Sequence, residues 1–198
     1  MATGRRAETM AENREKLVRA ARQAFAARGY AAASMDELTA SAGLTRGALY
    51  HNFGDKKGLL WAVVEQIDAE MAERLQAIRE GAASIWQGLL DESAAYITMA
   101  LEPEIQRIML LDGPAVLGDP SRWPGQNTCL ELTTHTVRLL IGEGIVHPID
   151  AEAAARLLNG AALSAALWIA AAADPPAVLD KAIGAFQQLA AGLLWDAP

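Results

Sequence analysis

The sequence predicts an all-α protein of about nine helices, on three observations. Apolar residues recur at helical spacing, with Leu17, Ala21, Ala24 and Phe25 as a first example. Among the 52 % of residues that are hydrophobic, Ala is abundant and β-branched runs are few, a balance that favours helices over strands. Segment ends carry helix punctuation, with Ser, Thr or Asp before a periodic run and Gly after it. At 198 residues the chain is long enough for one large or two small helical domains.

The first helix is expected from about Ala11 to Arg28, stopped by Gly29, with Tyr30 folding back on Phe25. Ser34 caps the second and Glu37 completes a capping box, with Ala33 and Leu38 as its staple. Met35, Leu38 and Ala42 share one face, and Gly43 supplies the left-handed residue that ends it. Thr45 caps a third helix, stapled by Leu44 and Leu49. Asp55 caps a fourth, whose stripe of Leu60, Val63, Val64, Ile67, Met71, Leu75 and Ile78 runs to about Glu80. That helix is too long for the small head alone and is expected to link the domains as a rigid lever. A fifth spans about Ala83 to Leu101, and Pro103 opens a sixth at its N1 position. The Gly- and Pro-rich stretch 112–126 reads as a loop with at most short helical turns. A seventh helix covers about Asn127 to Glu143, Asp150 caps an eighth to about Ala173, and a ninth follows Asp174-Pro175-Pro176.

Two short capped helices meeting at a glycine turn are the helix-turn-helix pattern of DNA-binding domains. A structural hairpin would bury more of its second helix than Leu49 and Phe53. Here Thr45, Arg46, Gly47, Tyr50 and His51 are polar, aromatic or very small. The candidate DNA contacts are therefore Ser34, Thr45, Arg46, Gly47, Tyr50, His51 and Lys56. Arg46 is expected to read a base, guanine through O6 and N7, while the others mostly position phosphates.

The run GLTRGALYHNFGDKKGLL, preceded by MDELTASA, resembles the tetracycline-repressor-like (TetR-type) transcriptional regulators over roughly residues 11 to 65. The resemblance implies an all-α homodimer with a DNA-binding head, residues 1–55, and a helical regulatory and dimerisation domain, residues 56–198. It implies a ligand-responsive regulator, most simply a repressor released from a palindromic operator by a small apolar or aromatic effector. Thr39 departs from the small Ala usual in the family, and its hydroxyl can bond to a carbonyl in the preceding turn. The rival reading is a small-molecule-binding or protein-interaction module without sequence-specific DNA binding.

Net charge is −7, which by itself argues against nucleic acid. Yet residues 1–60 hold ten Lys and Arg against six Asp and Glu, a net of +4, and 61–198 hold seven against eighteen, a net of −11. A positive head on an acidic body focuses phosphate attraction on one end. The lone Cys129 excludes an internal disulfide and, without a signal-peptide pattern or an apolar run long enough for a bilayer, points to a cytoplasmic protein with no membrane partner.

No catalytic constellation, metal-ligand spacing or cofactor motif is present, so no enzyme, metal or cofactor is expected. Cys129 reads as a small core hydrophobe. Trp86, Tyr96, Met99, Met109, Trp123 and His135 are candidates for the effector pocket, with Trp123 as a lid, since aromatics and Met are the composition of an apolar site. The eighth helix is apolar all round from Gly160 to Ala173, so it must be covered on both sides. With the ninth it is expected to build a four-helix bundle across a two-fold axis, using Leu163, Leu167, Trp168, Phe186, Leu189 and Leu193.

Overall fold

The structure, a computed structural model, describes residues 2–195 and, from residue 8 on, their side chains. The charges of Arg5 and Arg6 therefore lie outside the described side chains. Nine helical elements occur among the described residues: α1 (Ala2–Arg28), α2 (Met35–Ser41), α3 (Arg46–Phe53), α4 (Lys56–Gly81), α5 (Ile85–Met99), α6 (103–117), α7 (Pro124–Gly142), α8 (Ala151–Ala171) and α9 (Pro175–Ala191). In α6, α-helical turns at Pro103–Ile105 and Gly113–Leu117 flank a π-helical segment, Gln106–Asp112. A single 3-10 turn, Pro120–Arg122, precedes α7. One antiparallel bridge, Val146 to Leu194, ties the α7–α8 loop to the segment after α9.

The chain divides into two compact units. The first takes the residues up to Ile67 together with Arg107–Gly118, and the second takes Asp68–Gln106 and everything from Asp119 on. This division falls inside α4, and the middle of α6 belongs to the first unit. The reason is packing: Leu59, Leu60, Val63, Val64 and Ile67 of α4 are all buried, whereas Leu75 is half-buried and Ile78 exposed. The first half of α4 is a core helix of the head.

In the first unit α1 packs on α2 and α3 around Leu17, Ala21, Phe25, Leu38 and Leu49, each essentially inaccessible. Burying side chains of this size stabilises by about 1.5–3 kcal/mol each. Gly29, at φ 82°, ends α1, and the Tyr30 ring lies 5.6 Å from that of Phe25. In the second unit α8 is the centre, packed against α5, α7 and α9. Its buried face is Ala155, Leu158, Ala162, Ala166 and Ile169, mostly alanines that let neighbouring helices come close. Asp150 and Asp174 cap α8 and α9 by accepting from the amides of Ala153 and Ala177. Helix α7 starts one turn earlier than its apolar pattern suggests, because Pro124 serves as its N1 residue.

Candidate nucleic-acid interface and cavity

The α2–α3 pair is fixed by its own side chains. Ser34 Oγ accepts from the Glu37 amide at 3.2 Å, and Glu37 Oε2 accepts from the Ser34 amide at 3.3 Å, a complete capping box. Thr45 Oγ1 accepts from the Ala48 amide at 3.3 Å. Gly43 turns the chain at φ 66°, where a β-carbon is disfavoured. Thr39 is buried, and its hydroxyl donates to the carbonyls of Met35 and Asp36 at 3.0 and 3.1 Å. The hydroxyl that departs from the family's usual Ala is thus fully satisfied.

Helix α3 buries Leu49 and leaves Thr45, Arg46, Gly47, Tyr50 and His51 exposed on one side. Tyr50 keeps 53 % of its surface in solvent. Gly47 has ordinary helical geometry, and a β-carbon added there would meet nothing nearer than Thr45 Oγ1 at 3.7 Å. Glycine in a helix costs roughly 0.5–1 kcal/mol against Ala, and no internal contact of this head requires it.

Two expected contacts are already engaged inside the head. Both oxygens of Asp36 accept from the Arg46 guanidinium, through Nε and through Nη2 at 2.5 Å. This fork holds the Asp36 carboxyl below its ordinary value and aims Arg46 along the α2–α3 junction. Lys56, a candidate phosphate contact, donates its Nζ to the Tyr30 carbonyl at 2.5 Å and sits 4.3 Å from the centre of the Tyr30 ring. Burial behind that ring pushes the amine below its usual range. The exposed ammonium at the start of α4 belongs to Lys57.

The 107–118 segment completes the turn after α1. Asp112 Oδ2 accepts from the Tyr30 amide at 2.7 Å and lies 3.5 Å from Arg107 Nε, while Arg107 Nη2 donates to the Arg28 carbonyl at 3.3 Å. No sequence signal reveals this docking, because it joins residues about eighty positions apart.

The second unit holds a cavity of about 60 Å³. Helix α4 contributes Leu75, and α5 contributes Leu89, Glu92, Ser93 and Tyr96. Gln126, Cys129 and Thr133 come from α7, Asn159 and Ala162 from α8. Of the six residues expected to line an effector pocket, Tyr96 lines this cavity. Met99 and Trp123 are buried elsewhere, Trp86 is half-buried, and His135 is exposed. Met109 is buried in the first unit. Helical periodicity identifies which residues are covered but not which helix covers them. Cys129, expected as a small core hydrophobe, is instead exposed; it lines the cavity and accepts from Asn159 Nδ2 at 3.5 Å. Desolvation of its sulfur pushes the thiol above the ordinary value.

The candidate dimer residues separate in the same way. Phe186 is 3 % exposed and belongs to the core of its own unit, so it offers nothing to a partner. Leu163, Leu167 and Leu193 are half-buried, while Trp168 (49 %) and Leu189 (68 %) stand exposed. Leu157, which the periodicity did not single out, is the most exposed large apolar residue, at 76 %.

This head is a helix-turn-helix domain, and the helical body carries a partly open cavity. Residues 17–63 match the family described as "Bacterial regulatory proteins, tetR family", and residues 86–193 match "Tetracyclin repressor-like, C-terminal domain". The chain belongs to the TetR family of bacterial regulatory proteins. A crystal structure of a TetR-family transcriptional regulator from Pectobacterium atrosepticum is 50 % identical, with a TM-score of 0.88 over 96 % of this chain and 98 % of that one. The transcriptional repressor AcnR of Corynebacterium glutamicum is 32 % identical over 100 residues, 50 % of this chain and 52 % of that protein. The repressor Rv1474c of Mycobacterium tuberculosis is also 32 % identical over 100 residues, 50 % of this chain and 51 % of its own. The chain spans about half the length of these curated relatives in the match. Both of these curated relatives are transcriptional repressors.

Proposed function

We propose that this chain acts as a homodimeric repressor, held on a palindromic operator by α3 and released by a small molecule in the cavity of the second unit. The observation that carries the DNA reading is the α3 surface: Thr45, Arg46, Gly47, Tyr50 and His51 exposed together, with a glycine that internal packing does not need. Arg46 reads a base, guanine through O6 and N7. Ser34 and the amides at the helix starts hold phosphates, and Lys57 replaces Lys56 in that role.

The dimer is supported by the outer face of α8. Leu157, Gly160, Ser164, Trp168 and Ala171 are exposed at steps of three and four residues, so they form one stripe of small and apolar side chains. A second copy of the stripe covers it, and Leu189 extends it onto α9.

Coupling rests on two segments. Helix α4 belongs to both units, and the 107–118 segment holds the turn that also binds Lys56. Effector and operator then weaken one another by the same factor, about 5- to 150-fold for an ordinary coupling.

The test is selection of duplexes from a random pool by the full-length protein, followed by titration of the winner at several salt concentrations. A saturable, two-fold symmetric site is the expected result. Binding that ignores sequence and vanishes in moderate salt would sink the regulator reading in favour of an interaction module.

A further inference from the structure

A carboxylate stands among the candidate DNA contacts of the head. Asp36 follows Ser34 by two residues and pairs with Arg46, and both side chains are more than half exposed. An acid in the first turn of a helix favours the dipole, but Glu37 already does this and closes the capping box. An exposed ion pair adds little to stability. On a surface that approaches phosphates, a bare carboxylate weakens binding to every sequence. Neither helix nor stability accounts for an acid at this place.

Its grip on Arg46 takes one particular edge of the guanidinium. Nε donates to Oδ1 and Nη2 to Oδ2, and Arg46 makes no other hydrogen bond among the described residues. A guanidinium is planar and carries five N–H groups in fixed directions. The carboxylate takes the two on the side edge. The end edge, one N–H of Nη1 and one of Nη2, is left over. Guanine presents O6 and N7 as adjacent acceptors in the major groove, and such an edge meets them with two parallel bonds. One guanidinium can hold both partners at once.

Both ends of the grip are anchored. The Asp36 carbonyl accepts from the buried Thr39 hydroxyl at 3.1 Å, which pins the first turn of α2. Arg46 opens α3, directly after the cap that Thr45 makes with the Ala48 amide. Glu37, the other acid of α2, is held by Arg28 and the Ser34 amide and does not compete for Arg46. We infer that Asp36 is the positioning residue of base readout, holding the Arg46 guanidinium by its side edge and presenting the end edge to guanine. A free arginine loses rotamer freedom when it binds a base, and here that loss falls on folding instead. The inference rests on α3 reading DNA.

The test uses the full-length protein and the duplex it selects from a random pool. Parent, Asp36→Asn, Arg46→Ala and the double variant are titrated against four versions of that duplex, differing at the base pair that Arg46→Ala leaves unread. A scrambled duplex is the fifth probe. The parent should prefer guanine at that position at least about tenfold. Asp36→Asn should keep guanine as the preferred base but cut the preference to within about threefold, and should bind the selected duplex roughly three- to tenfold more weakly. On the scrambled duplex it should bind no more weakly than the parent, because it has lost a negative charge. Loss of structure would weaken both. In the Arg46→Ala background the same substitution should no longer weaken the selected duplex, since the carboxylate acts through the guanidinium. Tighter binding of Asp36→Asn with full guanine preference would mean that Arg46 leaves Asp36 to read its base, and overturns the inference. So does a loss that persists without Arg46. A parent that selects no site refutes α3 as a DNA reader, and the positioning role falls with it. A selective parent indifferent to Asp36→Asn refutes the positioning role alone.

Discussion

The α2–α3 pair and the cavity wall both concentrate polar side chains, but they employ them differently. In the head, Ser34, Glu37, Thr39 and Thr45 each bond to backbone within four residues, so the polar groups complete the helices that carry them. In the cavity the polar side chains of Glu92, Ser93, Gln126, Thr133 and Asn159 come from three separate helices, α5, α7 and α8. The first arrangement is closed within one stretch of chain and presents a preformed surface, whereas the second is assembled from distant segments. A regulator needs both. Its DNA reader must be rigid before the operator arrives, and its sensor must gain something from the ligand that the protein does not supply.

The largest effect that sharpens this contrast is at the α8 stripe. Trp168→Glu places a charge on the apolar face proposed to pair with a second copy. The variant should sediment as a folded monomer and lose at least about a hundredfold in affinity for a two-half-site duplex. A Trp168→Glu protein that remains dimeric would move the interface elsewhere.

Arg46→Ala should lower operator affinity roughly ten- to a hundredfold and flatten base preference at one position in each half-site. An unchanged motif in an unbiased selection would show that Arg46 only positions the protein. Asp36→Asn frees the same guanidinium without removing it, and so should keep the preferred base.

Gly47→Ala gives opposite signs in the two measurements. The head should melt no lower and gain up to about 1 kcal/mol, because Ala is the better helix former and the added carbon meets only Thr45 Oγ1, at an ordinary contact distance of 3.7 Å. Operator binding should nevertheless weaken, because the methyl group stands on the approaching face. Equal binding would mean that DNA does not come close at that residue. Ser34→Ala, by comparison, should cost about 1 kcal/mol of stability through loss of the cap.

The smallest effect tests the second unit. Burial raises the Asp68 carboxyl above its ordinary 3.8, so the folded protein holds that proton more tightly than the unfolded chain does. The resulting penalty is absent below pH 3.8 and grows as the pH rises through the folded value. Asp68→Asn should therefore melt higher than the parent at pH 7, with the difference closing as the pH falls toward 4. A difference independent of pH would mean that Asp68 is not strained by its charge.

How legible each part was follows from the range of the interactions. Capping boxes, staples and glycine stops act over three to five residues, so helices α2 and α3, their turn and the exposed α3 face could be read directly from residues 34–53. The start of α7 was misjudged because proline at N1 and an apolar stripe give different boundaries, and the backbone followed the proline. Phe186 and Leu189 look equivalent on the ninth helix, yet one is core and the other is exposed, since periodicity gives a face and not its neighbour.

By itself the sequence determined the helical class, the order of the elements, the caps and the polarity of charge, because each depends on residues near one another in the chain. Only the tertiary structure decided that α6 lends its middle to the head, that Lys56 turns inward to Tyr30, and that Thr133 and Asn159 meet in the cavity wall. Those outcomes depend on side chains brought together from positions 26 to about eighty residues apart. The tertiary fold sets such encounters, and a local pattern of hydrophobicity carries no record of them.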